Sequence, residues 1–202
     1  FISDLNRNTF NIKNFFTTYG EHITAGYNII LLPNYYFFRI NGSFDNYFSI
    51  FLNLINFCVL FLYFKNFLTS LYSNKIFILL LALSCFSLTN NPMMGMALSA
   101  QLGISITLIA IYFLKSYFVD NKVSRLCISL FLFLIAIGLC LGGYAAGAIS
   151  FLFFIFIFET YKGKYKNSLV FFVFFILSLI TYLSIFSITN NTVLVNHAKG
   201  SF

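Results

Sequence analysis

Two long stretches of this chain, residues 76–114 and 126–158, contain no charged residue at all. Lysine and arginine gather instead in three short connections, 65–75, 115–125 and 162–166. A helix running unbroken through 76–114 would be about 58 Å long at 1.5 Å per residue, roughly twice the hydrocarbon thickness of a bilayer. The stretch 126–158 would reach about 50 Å on the same count. Each must therefore break near its middle, and each offers a place to do so. Asn90-Asn91-Pro92 combines turn-forming residues with an imino acid that cannot donate to a helix ladder. Gly142-Gly143-Tyr144-Ala145-Ala146-Gly147 is a cluster of small residues that permits a chain reversal.

With those two breaks the chain reads as an all-α, polytopic transmembrane bundle of six spans. They lie near 46–64, 76–89, 93–114, 126–141, 144–158 and 168–189, after an N-terminal segment 1–45 and before a tail 190–202. Composition agrees: charged residues make up 8% and hydrophobic ones 60%, with 30 Phe and 13 Tyr. A soluble domain carries about 25% charged residues, so lipid is the expected solvent for most of this surface. The net charge of +7 follows from cytoplasmic retention of basic loops. No basic stripe or helix is present to bind nucleic acid.

Alternation through six helices puts all three basic connections on one side, which the positive-inside rule makes cytoplasmic. Residues 1–45, the two break regions and the tail then fall outside, and a bacterial inner or plasma membrane is the expected location. Residues 1–45 hold three basic and three acidic residues, so they carry no inward bias. Their aromatics, Phe10, Phe15, Phe16, Tyr19 and Tyr35 to Phe38, are interleaved with polar residues, which suits helices lying in the membrane interface. The chain opens on Phe1 without the basic-then-apolar order of a signal peptide. It reads as an internal piece of a larger protein, or one processed at its start.

Five acidic residues can be weighed singly. Asp120 and Glu159 fall in cytoplasmic connections, where a solvated charge is expected. Asp45 is expected to cap the first span. Asp4 and Glu21 remain in the outer segment, with His22 beside Glu21. By residue type Glu21 is a candidate general base or metal ligand, and His22 a candidate phosphate or proton-transfer group. Two solvated residues on a surface loop are the simpler reading. His197 and Lys199 read as solvated.

Inside the spans, Asn53 and Asn56 share a helical face and read as helix–helix hydrogen bonders. Gln101, following the Asn-Pro break, reads as lining an outward cavity. No ionisable residue sits deep in any span, which argues against ion-coupled transport. Cys58, Cys85, Cys127 and Cys140 lie in apolar runs and read as small buried hydrophobes. No phosphate-loop, GxSxG, HExxH or CxxC pattern occurs.

Asp4, the Glu21-His22 pair, the 91–101 stretch (Asn-Pro-Met-Met-Gly-Met through Gln101) and the later GGYAAG cluster together resemble the integral-membrane GT-C glycosyltransferases, most nearly bacterial members that use polyprenyl-phosphate sugars. That resemblance implies transfer of a sugar from a polyprenyl-phosphate donor to a glycan, lipid or protein acceptor on the outer face. It implies Asp4 or Glu21 as catalytic base, with His22, Arg7, Asn91 and Gln101 binding substrate. It also places a first helix upstream of Phe1 and further helices after Phe202. No cofactor is expected. With no DxD, ExD or paired-Asp motif, a divalent metal has no support. The expected partners are membrane lipids, a polyprenyl-phosphate-linked sugar and its acceptor. Alternatives are an O-antigen-type polymerase or ligase, whose large outer loop comes late and is Arg-rich, and a non-enzymatic transporter or flippase.

Overall fold

The computed structural model of the chain describes residues 18–19, 22–23, 25–64, 71–86, 94–139 and 143–199. Thr18–Tyr19 (β1) and His22–Ile23 (β2) form a two-residue antiparallel ladder. The elements described after it are all helices: α1 Ala25–Phe38, α2 Gly42–Phe64, α3 Leu71–Phe86, α4 Met94–Asp120, α5 Val123–Leu139, α6 Gly143–Tyr161 and α7 Tyr165–Lys199.

Three helical segments are long and apolar enough to cross a membrane, Gly42–Phe64, Leu98–Asp120 and Tyr165–Ile185. Only 17%, 28% and 17% of their most apolar windows is buried within the protein, so most of that apolar surface points outward. Such a surface is at home in lipid, and by length and composition this is a membrane protein. Of the six expected spans, three correspond to helices that meet the length requirement among the described residues. Val123–Leu139 and Ala145–Tyr161 are apolar but shorter, and α3 has 16 residues. At 1.5 Å per residue, 16 or 17 residues cover about 25 Å, short of the roughly 30 Å hydrocarbon core.

The helix bounds depart from the expected spans for local reasons. Helix α4 continues through Lys115 to Asp120, because a long lysine can reach polar surroundings without ending a helix. Helix α7 runs on through the 190–199 part of the expected tail. Gly143 to Gly147 are helical and open α6 instead of forming the reversal. Ala145 of that cluster and Ala148 just after it are buried, which is where small side chains admit a close neighbour. Gly147 faces open space. The Asn90-Asn91-Pro92 break lies outside the described residues.

The core sits between α4, α5, α6 and α7 around Leu114, Leu130, Phe133, Ile137, Leu152 and Phe171, all almost wholly buried. Helices α4 and α5 approach closely enough for Ser129 Oγ to donate to the Ala110 carbonyl at 2.8 Å. Their connection is tight, with Asn121 at φ 53°, a left-handed conformation that Asn tolerates better than most residues. Gly163, at φ 70°, serves the same purpose between α6 and α7. Cys58 and Cys127 are free and exposed on helix surfaces, which corrects the expectation of burial for those two. Of Cys85 only the backbone in α3 is described, and Cys140 falls outside the described residues.

The α4–α5 and α6–α7 turns and the C-terminus of α2 lie at one end of the bundle. There Lys115 Nζ donates to the Tyr63 carbonyl at 2.7 Å, and the Tyr117 hydroxyl donates to Asn167 Oδ1 at 3.1 Å. Helix α1, the start of α2, the first half of α4 and the end of α5 lie at the other. Gly26 of α1 marks that junction: a Cβ there would stand 2.7 Å from Ser99 Oγ and 3.3 Å from the Leu139 carbonyl oxygen. Helix α1 is thus seated on α4 and α5, with Ala25, Gly26, Asn28, Ile30 and Asn34 buried. The expected interfacial helix is half absorbed into the bundle. Its other face, with Tyr36, Phe37 and Phe38, stays exposed.

Candidate functional site

The densest polar constellation among the described residues lies where α1 turns into α2. Asn34, 1% exposed, is its hub. Its Oδ1 accepts the Asn41 backbone N–H at 2.9 Å, and its Nδ2 donates to the Asn41 carbonyl at 3.1 Å and to Asp45 Oδ1 at 3.2 Å. The Tyr27 hydroxyl reaches Asp45 Oδ2 at 3.4 Å. Burial, and then the charge and hydrogen bond of Asp45, push the Tyr27 phenol above its ordinary value, so it stays a neutral donor.

Asp45 does not cap α2 as expected. Asn41 does, its Oδ1 accepting the Ser43 N–H at 2.9 Å. Asp45 sits one turn further in, where the positive end of the helix favours a carboxylate and where Asn34 and Tyr27 can reach it. Asn41-Gly42 is a turn dipeptide, so the sequence did carry a signal for a corner here. What it could not carry is the return of Asn34 and Tyr27 from the preceding helix.

The corner itself is strained. Arg39 and Ile40 both have left-handed backbones, at φ 51° and 61°, a region that β-branched side chains rarely enter. The Ile40 N–H bonds the Asn34 carbonyl at 3.2 Å, so Asn34 holds the strained pair from both its backbone and its side chain. Against this corner lies an open cleft of about 430 Å³ lined by Tyr35, Tyr36, Arg39 and Ile40. A guanidinium recognises phosphate oxygens in a fork geometry, and two tyrosines supply flat faces with polar tips. Strain of this kind persists where surrounding structure over-determines it, commonly at binding sites.

A buried polar seam runs from the corner along α2. Asp45, Ser49, Asn53 and Asn56 recur at helical spacing. Ser49 Oγ donates to Gln101 Oε1 at 2.8 Å, tying α2 to α4. Gln101 is thus an interhelical tie, 5% exposed, and the expected cavity-lining role falls away. Asn53 and Asn56, expected to bond between helices, each leave one amide atom unmet. Both are buried, yet Asn53 Nδ2 and Asn56 Oδ1 have no hydrogen-bond partner. An unmet amide group in an apolar setting costs about 1–3 kcal/mol.

Asp4, Arg7, Glu21 and Asn91 lie outside the described residues, and of His22 only the backbone in β2 is described. The sequence reading passed over Arg39, Tyr35 and Asn34. At the opposite end, Asp120 pairs with Arg125 as an exposed ion pair. Glu159 departs from the expected solvated charge: it is 1% exposed, and its Oε2 accepts from Asn167 Nδ2 at 3.1 Å. Among the described residues no three His, Cys, Asp or Glu side chains gather as a metal-binding group. Comparison with protein-family models, curated proteins and solved structures finds no match to this chain.

Proposed function

We propose that this chain belongs to an integral-membrane glycosyltransferase that moves a sugar from a polyprenyl-phosphate donor to a glycan, lipid or protein acceptor on the outer face of a bacterial plasma membrane. The observation that carries the reading is the α1–α2 corner. It combines a guanidinium for phosphate, two tyrosine faces for a sugar and a buried carboxylate one layer behind them, on a strained and over-determined backbone. The exposed Tyr36, Phe37, Phe38, Ile40 and Tyr47 around it suit the bilayer interface, where a lipid-linked phosphate resides.

In this reading the corner faces outward and the basic turns face the cytoplasm, with the shorter α3, α5 and α6 completing six crossings by local bilayer thinning. Asp4 or Glu21 removes the acceptor hydroxyl proton. His22, Arg7 and Asn91 bind substrate, while Gln101 holds α2 and α4 in register. Arg39 joins them at the phosphate.

The test uses the full-length protein in its own cell, scoring surface glycan at matched protein levels. Asp4→Asn or Glu21→Gln should abolish the glycan, and Arg39→Gln should lower it at least 10-fold. Unchanged glycan in both acidic variants would remove the catalytic assignment. An unchanged Arg39→Gln would remove the corner from the site.

A further inference from the structure

The turn between α6 and α7 concentrates positive charge and aromatic surface in a short stretch. From Glu159 to Lys166 the chain carries Lys162, Lys164 and Lys166 against the single carboxylate of Glu159. All three lysines are exposed. Tyr161 and Tyr165 between them are 90% and 72% exposed.

The carboxylate does not share that surface. Glu159 is 1% exposed, and its Oε2 accepts from Asn167 Nδ2 at 3.1 Å. The backbone fixes this division. Gly163, at φ 70°, reverses the chain, its N–H bonding the Thr160 carbonyl at 2.9 Å, and the Lys164 N–H bonds the Glu159 carbonyl at 3.0 Å. The Thr160 and Ser168 hydroxyls join across the same turn. None of the three lysines makes an ion pair among the described residues. Lys162 Nζ lies 4.2 Å from the Phe158 ring centroid, an attraction that places the charge without neutralising it. The turn between α4 and α5, at the same end, is the contrast: there Asp120 pairs with Arg125.

The flanks identify the partner. Phe154, Phe158, Leu169 and Val173, on either side of the turn, are exposed apolar residues. A membrane-length segment begins at Tyr165 itself. The lysines therefore stand where the lipid-facing surface ends, at the level of the headgroup phosphates, and tyrosine favours that level. A soluble polyanion would meet the lysines alone, whereas a leaflet surface meets the lysines, the tyrosines and the apolar flanks together.

We propose that the α6–α7 turn is a docking surface for anionic phospholipid headgroups and gathers such lipids around this edge of the bundle. The three ammonium groups supply the attraction, which fades within a Debye length. Tyr161 and Tyr165 hold the turn at headgroup depth. The proposal rests on the membrane reading alone and is independent of sugar transfer, because no residue of this turn belongs to the α1–α2 corner.

The chain contains no Trp, so Tyr161→Trp supplies a single fluorescent reporter that keeps the interfacial preference of the site. The full chain is reconstituted in phosphatidylcholine vesicles, and brominated phosphatidylglycerol is compared with brominated phosphatidylcholine as quencher at equal mole fraction. Phosphatidylglycerol should be enriched about 3-fold beside the reporter, and high salt should remove most of that enrichment. Replacing Lys162, Lys164 and Lys166 by Gln together should bring the two lipids level. Lys164→Gln alone, at an exposed position, should lower the enrichment and keeps the test valid if the triple variant does not insert. A Val123→Trp reporter, in the turn where Asp120 pairs with Arg125, should show less enrichment than position 161. Equal quenching by the two lipids would overturn the proposal, and so would an unchanged triple variant. Equal enrichment at positions 123 and 161 would overturn it as well, by assigning the effect to the whole end of the bundle. Release of phosphatidylglycerol by an RNA oligonucleotide at equal phosphate concentration would make a soluble polyanion the better partner and equally overturn it.

Discussion

Ile40 is the residue whose chemistry fits its backbone least. A β-branched side chain at φ 61° carries about 1–2 kcal/mol of left-handed strain. Asn34 supplies the opposing hydrogen bonds. Ile40→Gly should therefore stabilise the protein by about 1 kcal/mol, less the entropy that glycine adds to the unfolded chain. With that entropy subtracted, a chain of this size should melt about 1–2 °C higher. An unchanged or lower midpoint would show that the corner is relaxed. Tyr27 tests the same corner by pH. Its folded phenol ionises above its unfolded value of 10.0, so the folded state holds the proton more tightly than the unfolded one. The stabilisation is complete below the unfolded value and is lost as pH rises through the folded one. In Tyr27→Phe, alkaline loss of stability should begin at higher pH than in the wild type, measured by denaturation between pH 9 and pH 11. Asp45→Asn should lower the Tyr27 pKa only part of the way, because burial is the largest cause of its rise.

The decisive contact among the helices is the seat of α1 on α4 and α5. Glycine is needed at position 26 because Ser99 and the Leu139 carbonyl leave no room for a methyl group. Gly26→Ala should cost about 1–3 kcal/mol by overpacking, read as a lower thermal midpoint in detergent. Adding Ser99→Gly should recover part of that loss, since the 2.7 Å approach is to Ser99 Oγ. No recovery would place the strain at the Leu139 carbonyl. Gln101 and the two asparagines of α2 make the complementary point. All three were amides in apolar runs with equal claims to bridge helices. Among the described residues, Gln101 finds a hydroxyl opposite it, on Ser49, while Asn53 Nδ2 and Asn56 Oδ1 find no partner.

Across the whole molecule the α1–α2 corner and the basic turns occupy opposite ends, so a single topology experiment bears on everything proposed for either. With all four native cysteines replaced by serine, Ser43→Cys and Lys122→Cys should react with an impermeant thiol reagent from opposite faces of sealed membranes. Position 43 should be outward and position 122 cytoplasmic. Labelling of both from one face would mean that the bundle does not separate its ends across the bilayer. Reversed labelling would move the corner to the cytoplasmic face and remove an outer-face reaction.

Much of this arrangement follows from the sequence alone. Charge-free runs longer than a bilayer, with Lys and Arg confined to three connections, determine that the chain is helical, lipid-facing and folded back on itself, because unpaired charge and unpaired backbone are both costly in hydrocarbon. The two left-handed turns at Asn121 and Gly163 sit where turn residues and lysines interrupt the apolar pattern. Hydrophobicity is a one-dimensional property and can be read residue by residue. Partnership is not. Glu159 looked solvated because lysines surround it in sequence, yet Asn167 meets it in a buried layer. Asp45 looked like a cap, yet Asn34 and Tyr27 approach it from the preceding helix. Which amides are satisfied, where a cleft opens and which backbone is strained all depend on side chains distant in sequence converging, and only the tertiary structure decided them.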